Sequence, residues 1–110
     1  MGLLVTDGAS APLVNAVLKA AQSAGAKVKI IAEKIAGAEL SDGKILPADQ
    51  RIEGGPSSLF DHVAIVASDD GAKRLAGMGA AQDFVKDAYG HLKVLAFTSN
   101  TEELFRKAGH

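Results

Sequence analysis

Leu3, Leu4 and Val5 open the chain as a short apolar run, and the turn Asp7-Gly8-Ala9-Ser10 stops it. Between Pro12 and Ala24 the apolar positions change rhythm: Leu13, Val14, Val17, Leu18 and Ala21 recur at helical spacing. Ser10 is placed to cap that helix, Pro12 suits its first turn, and Gly25 suits a left-handed end. The stretch "KVKIIA", Lys27 to Ala32, predicts a second strand. The first 32 residues therefore read strand, helix, strand, a parallel unit with a right-handed crossover.

Residues 33 to 56 break this rhythm. They are rich in Gly and Asp, and Ser41-Asp42-Gly43-Lys44 between short apolar stretches signals a hairpin. Val63 to Ala67 then forms the most apolar strand and is expected at the centre of the sheet. "DDGAKRLAG" predicts a short helix capped by Asp69 or Asp70. "AAQDFVKDAYGHL" predicts another, with Phe84, Val85, Ala88, Tyr89 and Leu92 repeating at three and four. Lys93 to Phe97 reads as the last strand and Thr101 to Lys107 as the last helix, capped by Thr98, Ser99 or Thr101.

The class that emerges is α/β: a flavodoxin-like three-layer sandwich with a mainly parallel sheet and a small β-hairpin excursion. Four parallel strands are legible, where doubly wound sheets usually have five or more. The 110 residues suit a single domain, 1–110, with one further strand expected after Gly109-His110, so that the domain reads as truncated.

Composition narrows the chemistry. Aromatics make up 5% of the chain, so aliphatic and small residues must fill the interior. A net charge of −1 with scattered Lys and Arg gives no footprint for nucleic acid. Cysteine is absent, which removes disulfides, thiolate metal sites and thiol catalysis. No apolar run reaches the ~18 residues of a membrane span. The start MGLLVTDG lacks the pattern of a signal peptide, so the expected location is the cytoplasm.

Ligands of open α/β sheets sit beyond the carboxyl ends of the strands. Three loops belong there: residues 7–10, residues 68–71 and Thr98-Ser99-Asn100-Thr101. The first matches neither glycine-rich phosphate motif, and Asp7 would repel a phosphate. Asp7 with Asp69 or Asp70 resembles half of a Mg²⁺-binding receiver site. The second acid after the first strand is missing, however, and Lys93 begins its strand rather than following it. Those acids read better as helix caps. Ser99 stands at a strand-to-helix turn but needs a base to become a nucleophile. His62 and His91 are expected at the opposite end of the sheet and His110 at the chain end, so neither a catalytic pair nor a three-His metal site is expected. No cofactor is expected in this chain.

The segments "GLLVTDGA", "AGAKVKIIA", "DGKILPADQRIEGGPSSLFDHVAIV", "AAQDFVKDAYGHLKVLAFT" and "LFRKAG" resemble the C-terminal domain of large-subunit (clade 2) haem catalases, nearly end to end. That domain is similar to the class I glutamine amidotransferase-like superfamily and its intracellular-protease-like branch. In those relatives a Cys-His pair occupies the elbow and a glutamate follows the first strand. The resemblance lays these positions on Ser99, on Asn100 and near Leu13, and none of the three functional residues is retained. It implies a non-catalytic appendage whose partner is a haem domain of the same polypeptide. Stabilising a homo-oligomer and shaping haem access are its implied roles. Two other readings stand beside it: a freestanding amidotransferase- or protease-like enzyme or small-ligand binder using the Asp7 and Ser99 loops, and an interaction module that holds unfolding client proteins. Residues 35–56, with Ile35, Leu40, Ile45, Leu46 and Ile52, either expose an apolar patch or pack on their own sheet.

Overall fold

The computed structural model describes residues 1–54, 62–90, 94–107 and 109. The sheet runs β1 (Gly2–Val5), β2 (Lys29–Ala32), β5 (Gln50–Arg51), β6 (Val63–Val66) and β7 (Val94–Phe97) in the spatial order β5-β2-β1-β6-β7. All four pairings are parallel. A separate antiparallel hairpin joins β3 (Ala38–Glu39) to β4 (Ile45–Leu46). The expected flavodoxin-like α/β layout is therefore present, with one correction: there are five parallel strands, not four. The fifth, β5, has only two residues, Gln50 and Arg51, both polar, so no apolar run announces it. Its position comes from tertiary contact: Asp49 N–H donates to Ile30 O at 2.8 Å, and Asp49 Oδ2 accepts from Ile30 N–H at 2.7 Å.

Helix α1 (Ala11–Ser23) carries the chain from β1 to β2, and α2 (Asp69–Ala76) and α3 (Gly79–Gly90) carry it from β6 to β7. The two crossovers step in opposite directions from the middle of the sheet. Right-handed connections must then lie on opposite faces. Helix α4 (Glu102–Lys107) follows β7 and packs on α2 and α3. Alternation along β6 serves both faces. Val63 and Ile65 join Leu4, Ile31, Leu75, Phe84, Val85 and Leu104 in one core, while Ala64 and Val66 join Leu3, Val5, Val14 and Ile30 in the other. Strand β6 thus lies between β1 and β7 with all four residues buried, as its apolarity predicts.

Local chemistry sets the helix ends. Ser10 Oγ accepts from Leu13 N–H at 3.4 Å, and Gly25 closes α1 with φ 74°. The expected acidic cap of α2 is corrected: Ser68 is the cap, its Oγ accepting from Gly71 N–H at 3.0 Å, while Asp69 and Asp70 occupy the first turn. An acid in the first turn favours the helix through its dipole without capping it, so composition alone does not separate the two positions. The last helix also differs from expectation. Ser99–Thr101 form a 3₁₀ turn, and the preceding Thr98 makes no side-chain cap bond.

Residues 35–56 divide between the two expected outcomes. Leu40 and Ile52 are buried, whereas Ile35 and Ile45 are 60% and 65% exposed. The expected positions Pro56, His91, Leu92, Lys93 and His110 lie outside the described residues.

Candidate functional site

The strand order reverses between β1 and β6, which places the ligand crevice of a doubly wound sheet above their carboxyl ends. Here that crevice is closed by the chain itself. Thr6, buried at the end of β1, accepts from Ser68 N–H through Oγ1 at 2.9 Å. Ser68 Oγ donates to Asp7 O at 2.6 Å. Gly71 sits so close that an added Cβ would overlap the Thr6 side chain, so the two loops approach only because residue 71 has none.

The hairpin is fastened over this junction. Gly8 N–H donates to Glu39 O at 2.6 Å, Ser41 N–H to Ala9 O at 2.9 Å, and Ala11 N–H to Ser41 Oγ at 2.9 Å. Asp7 completes the fastening: Oδ1 accepts from Glu39 N–H at 2.9 Å and Oδ2 from Lys34 Nζ at 3.1 Å. The Glu39 amide first, and then the Lys34 ammonium, hold the Asp7 carboxyl below its ordinary value. Beside it, Arg74 donates to both oxygens of Glu33 at 3.1–3.2 Å, and this pairing raises the guanidinium pKa further. Asp7, whose carboxylate is committed to these partners, is thus a structural tie to β3. Asp69 faces Asn100 instead, and no cluster of metal-binding side chains occurs among the described residues.

Ser99 and Asn100 behave differently although they are adjacent. Asn100 is a hub: Nδ2 donates to Ala67 O and to Asp69 Oδ1, both at 3.0 Å, and Oδ1 accepts from Thr98 Oγ1 at 2.6 Å. Thr98 Oγ1 in turn accepts from Ala67 N–H at 3.2 Å. The network ties the elbow to the β6–α2 loop. Ser99 is exposed, and its hydroxyl has no hydrogen-bond partner among the described residues. His62 stands at the start of β6, the far end of that strand from Ser99, roughly 13 Å away for four residues. No base reaches Ser99 among the described residues.

The structure does bring Leu13 and Ser99 together. Both line a hollow of about 300 Å³ with Val17, Val66, Phe97 and Thr98. A second hollow of about 340 Å³ continues from Val17 and Ala64 toward Met1 and His62. Leu13 is 48% exposed. Leu13 thus presents an aliphatic side chain to the hollow that Ser99 lines, and no acid or base is among the described residues lining it. The role of Asn100 as a clamp was not foreseen. Only its short amide at a strand-to-helix turn hinted at it.

No protein-family model matches the chain. Among curated proteins, it is 37% identical over 109 residues to Catalase C of Rhizobium meliloti, covering 99% of this chain and 16% of that protein. It is 31% identical over 98 residues to Catalase HPII of Pseudomonas putida, covering 89% of this chain and 14% of that protein. The chain is a relative of the large-subunit catalases. It spans about a sixth of the length of these relatives.

Solved structures agree on the fold. A two-domain protein from Anabaena variabilis with DJ-1/ThiJ/PfpI-like and ferritin-like domains superposes with a TM-score of 0.83 at 16% identity, over 97% of this chain and 32% of that one. Schizosaccharomyces pombe DJ-1 superposes at 0.78 and 16% identity, over 98% of this chain and 62% of that one. The sequence resemblance to catalases and the flavodoxin-like α/β fold are both present.

Proposed function

We propose that this chain is a non-catalytic C-terminal accessory domain of a large-subunit catalase, whose separate haem domain breaks down hydrogen peroxide. The observation that carries the reading is the 37% identity that runs over 99% of this chain yet only 16% of a catalase. The geometry supports it: Ser99 without a base, Asn100 spent as a clamp, Leu13 opposite the elbow, and a switch-point crevice closed by the chain's own hairpin.

The hollow beside His62 supports placing the haem elsewhere. His62 is exposed, and the hollow beside it is lined by alanines, Val17 and Met1, with no Arg or Lys to meet the propionates. This supports the reading that peroxide chemistry belongs to a separate haem domain. The domain's share is to steady the catalase oligomer and to shape access to the haem, in the cytoplasm. Holding of unfolding clients is a lesser role, for which the exposed Ile35 and Ile45 are the contact surface.

The test is direct. Purified chain is assayed with ester, peptide, glyoxal and peroxide substrates, and the catalase encoded by the same gene is compared with a version lacking this segment. The expected result is no turnover by the chain, and a truncated catalase that keeps activity per haem but loses its oligomer at lower temperature. Turnover that disappears in Ser99→Ala overturns the reading.

A further inference from the structure

An aspartate followed by glycine is prone to rearrange, because glycine has no side chain to shield its amide nitrogen from the neighbouring carboxyl group. The chain has three such pairs: Asp7-Gly8, Asp42-Gly43 and Asp70-Gly71. The fold puts them in three different settings. Asp7 and Gly8 hold the hairpin down on the β1–α1 loop. Asp70 and Gly71 lie in the first turn of α2, with Gly71 buried. Asp42 and Gly43 are the outer turn of the hairpin, where Ser41, Asp42, Gly43 and Lys44 are all exposed.

We propose that Asp42-Gly43 is a site of isoaspartate formation in the folded protein, and that this modification loosens the hairpin over the β1–α1 loop. The Gly43 nitrogen attacks Cγ of the protonated Asp42 carboxyl group. A C–N bond forms, the carboxyl C–O bond breaks, and one water leaves, which closes a five-membered succinimide. One water then adds back. Opening at the side-chain carbonyl restores aspartate, and opening at the main-chain carbonyl gives isoaspartate. The step needs no oxidant, reductant or second substrate.

Three observations select this pair. The first is the place of the carboxyl group. Asp42 Oδ1 accepts from Lys44 N–H at 3.0 Å, and that bond folds the side chain back across the peptide joining Asp42 to Gly43. The second is room. Gly43 has φ 83°, and nothing lies within 4 Å of where its Cβ would stand, so the ring meets no neighbour. Gly43 N–H is held by one turn bond, to Leu40 O at 2.9 Å, and an exposed turn opens without global unfolding. The third is contrast. Gly8 N–H is bonded to Glu39 O at 2.6 Å, and the Asp7 carboxyl is taken by Glu39 N–H and Lys34. Those partners also keep Asp7 ionised to lower pH, which makes its reactive neutral form scarcer. Gly71 N–H donates to Ser68 Oγ at 3.0 Å, Thr6 crowds Gly71, and ring closure would require Asp70 to leave the helix.

The consequence follows from the length of the turn. Isoaspartate carries the main chain through Cβ and adds one backbone atom between β3 and β4. The pairings Ala38 with Leu46 and Glu39 with Ile45, and the bond from Leu40 N–H to Lys44 O at 2.8 Å, are set by the unmodified length. The same hairpin holds Gly8, Ala9 and Ala11 through Glu39 and Ser41. A change at its exposed tip therefore reaches the loop that closes the crevice.

Trypsin separates the three pairs, because Lys19, Lys34, Lys44, Arg51 and Lys73 place them in different peptides. The 110-residue chain is warmed at neutral pH, folded and in concentrated guanidinium chloride. Isoaspartate in each peptide is then read by electron-transfer fragmentation and by methyl labelling with an isoaspartyl carboxyl methyltransferase. In the folded chain Asp42 should convert roughly tenfold or more faster than Asp7 or Asp70, and in denaturant the three should become alike. Asp42→Glu should abolish labelling of its peptide, since the larger ring closes poorly. In the modified fraction, separated by ion exchange, the amides of Glu39 and Ser41 should exchange hydrogen roughly tenfold faster than in the fresh protein. Equal conversion of the three pairs in the folded chain, or conversion of Asp42 in denaturant only, overturns the site. Unchanged exchange at Glu39 and Ser41 in the modified fraction overturns the loosening.

Discussion

The two faces of the sheet are covered unequally. One carries α2, α3 and α4 over Leu4, Ile31, Val63 and Ile65, and its contributors Leu75, Val85 and Leu104 are all buried to 1% exposure or less. The other carries, among the described residues, only α1 and the hairpin over Leu3, Val5, Ile30, Ala64 and Val66, and it leaves Leu13 half in solvent. The side chains that β6 sends to each side follow the same division. Val63 and Ile65 face three helices, while Ala64 and Val66 face α1 and the hairpin. The difference teaches where stability resides. The closed face has no room for change without a cavity or a clash, and the open face tolerates change in this chain because its neighbours are few.

The largest test of that contrast is on the closed face. Ile65→Ala should cost about 2–5 kcal/mol, measured by urea unfolding, since Ile65 is 1% exposed and a cavity would remain. A loss under about 1 kcal/mol would show that the face relaxes freely and would remove the contrast. Next in size is Gly71→Ala at the junction of the β1 and β6 loops. The new methyl meets Thr6, so a cost of about 1–3 kcal/mol is expected, and Thr6→Ser made together with it should recover part of the loss.

Asn100→Ala should follow. It removes donors to Ala67 O and Asp69, and an expected cost of about 1–2 kcal/mol distinguishes a clamp from an idle remnant. Ser99→Ala, by contrast, removes no hydrogen bond to the described residues and should leave stability within about 0.5 kcal/mol. On the open face Leu13→Lys should be equally mild in the isolated chain, within about 0.5 kcal/mol, because the lysine can extend into solvent. A large loss would mean that the hollow beside Leu13 is already filled in this chain.

The smallest effect concerns Asp7. Its carboxyl is held below its ordinary value, so its contribution is present above the unfolded pKa and is lost as pH falls through the lower folded one. Asp7→Asn should therefore cost only about 0.5 kcal/mol at neutral pH, given a side chain that is 41% exposed. The gap between the two proteins should close below about pH 4. No difference at neutral pH would show that the hairpin is held by its backbone bonds alone.

Much of this was legible in the residues, and the reasons differ from element to element. Strands β1, β2, β6 and β7 announce themselves because buried parallel strands must be apolar throughout. Helix α1 declares its bounds through Ser10, Pro12 and Gly25, and the hairpin through Asp42-Gly43, because these signals act within a few residues. The resemblance carried by "LPADQRIEGGPSS" and its companions named the relatives before any coordinates did. The site was half legible. The lack of cysteine and the placing of His62 at the wrong strand end were visible, whereas Asn100 as a clamp was not, since its partners Ala67 and Asp69 lie over thirty positions away.

What the sequence by itself determined is therefore the class, the strand and helix rhythm, and the absence of cysteine, all of which depend on residue type or on spacing along one element. Tertiary structure alone decided the rest. It made polar Gln50-Arg51 a fifth strand because β2 had an unpaired edge. It chose Ser68 over the neighbouring acids as the cap because Thr6 and Gly71 hold that serine at the helix start. It also left one flank of α1 open, because a helix pattern records which residues are apolar but not how many neighbours arrive to cover them.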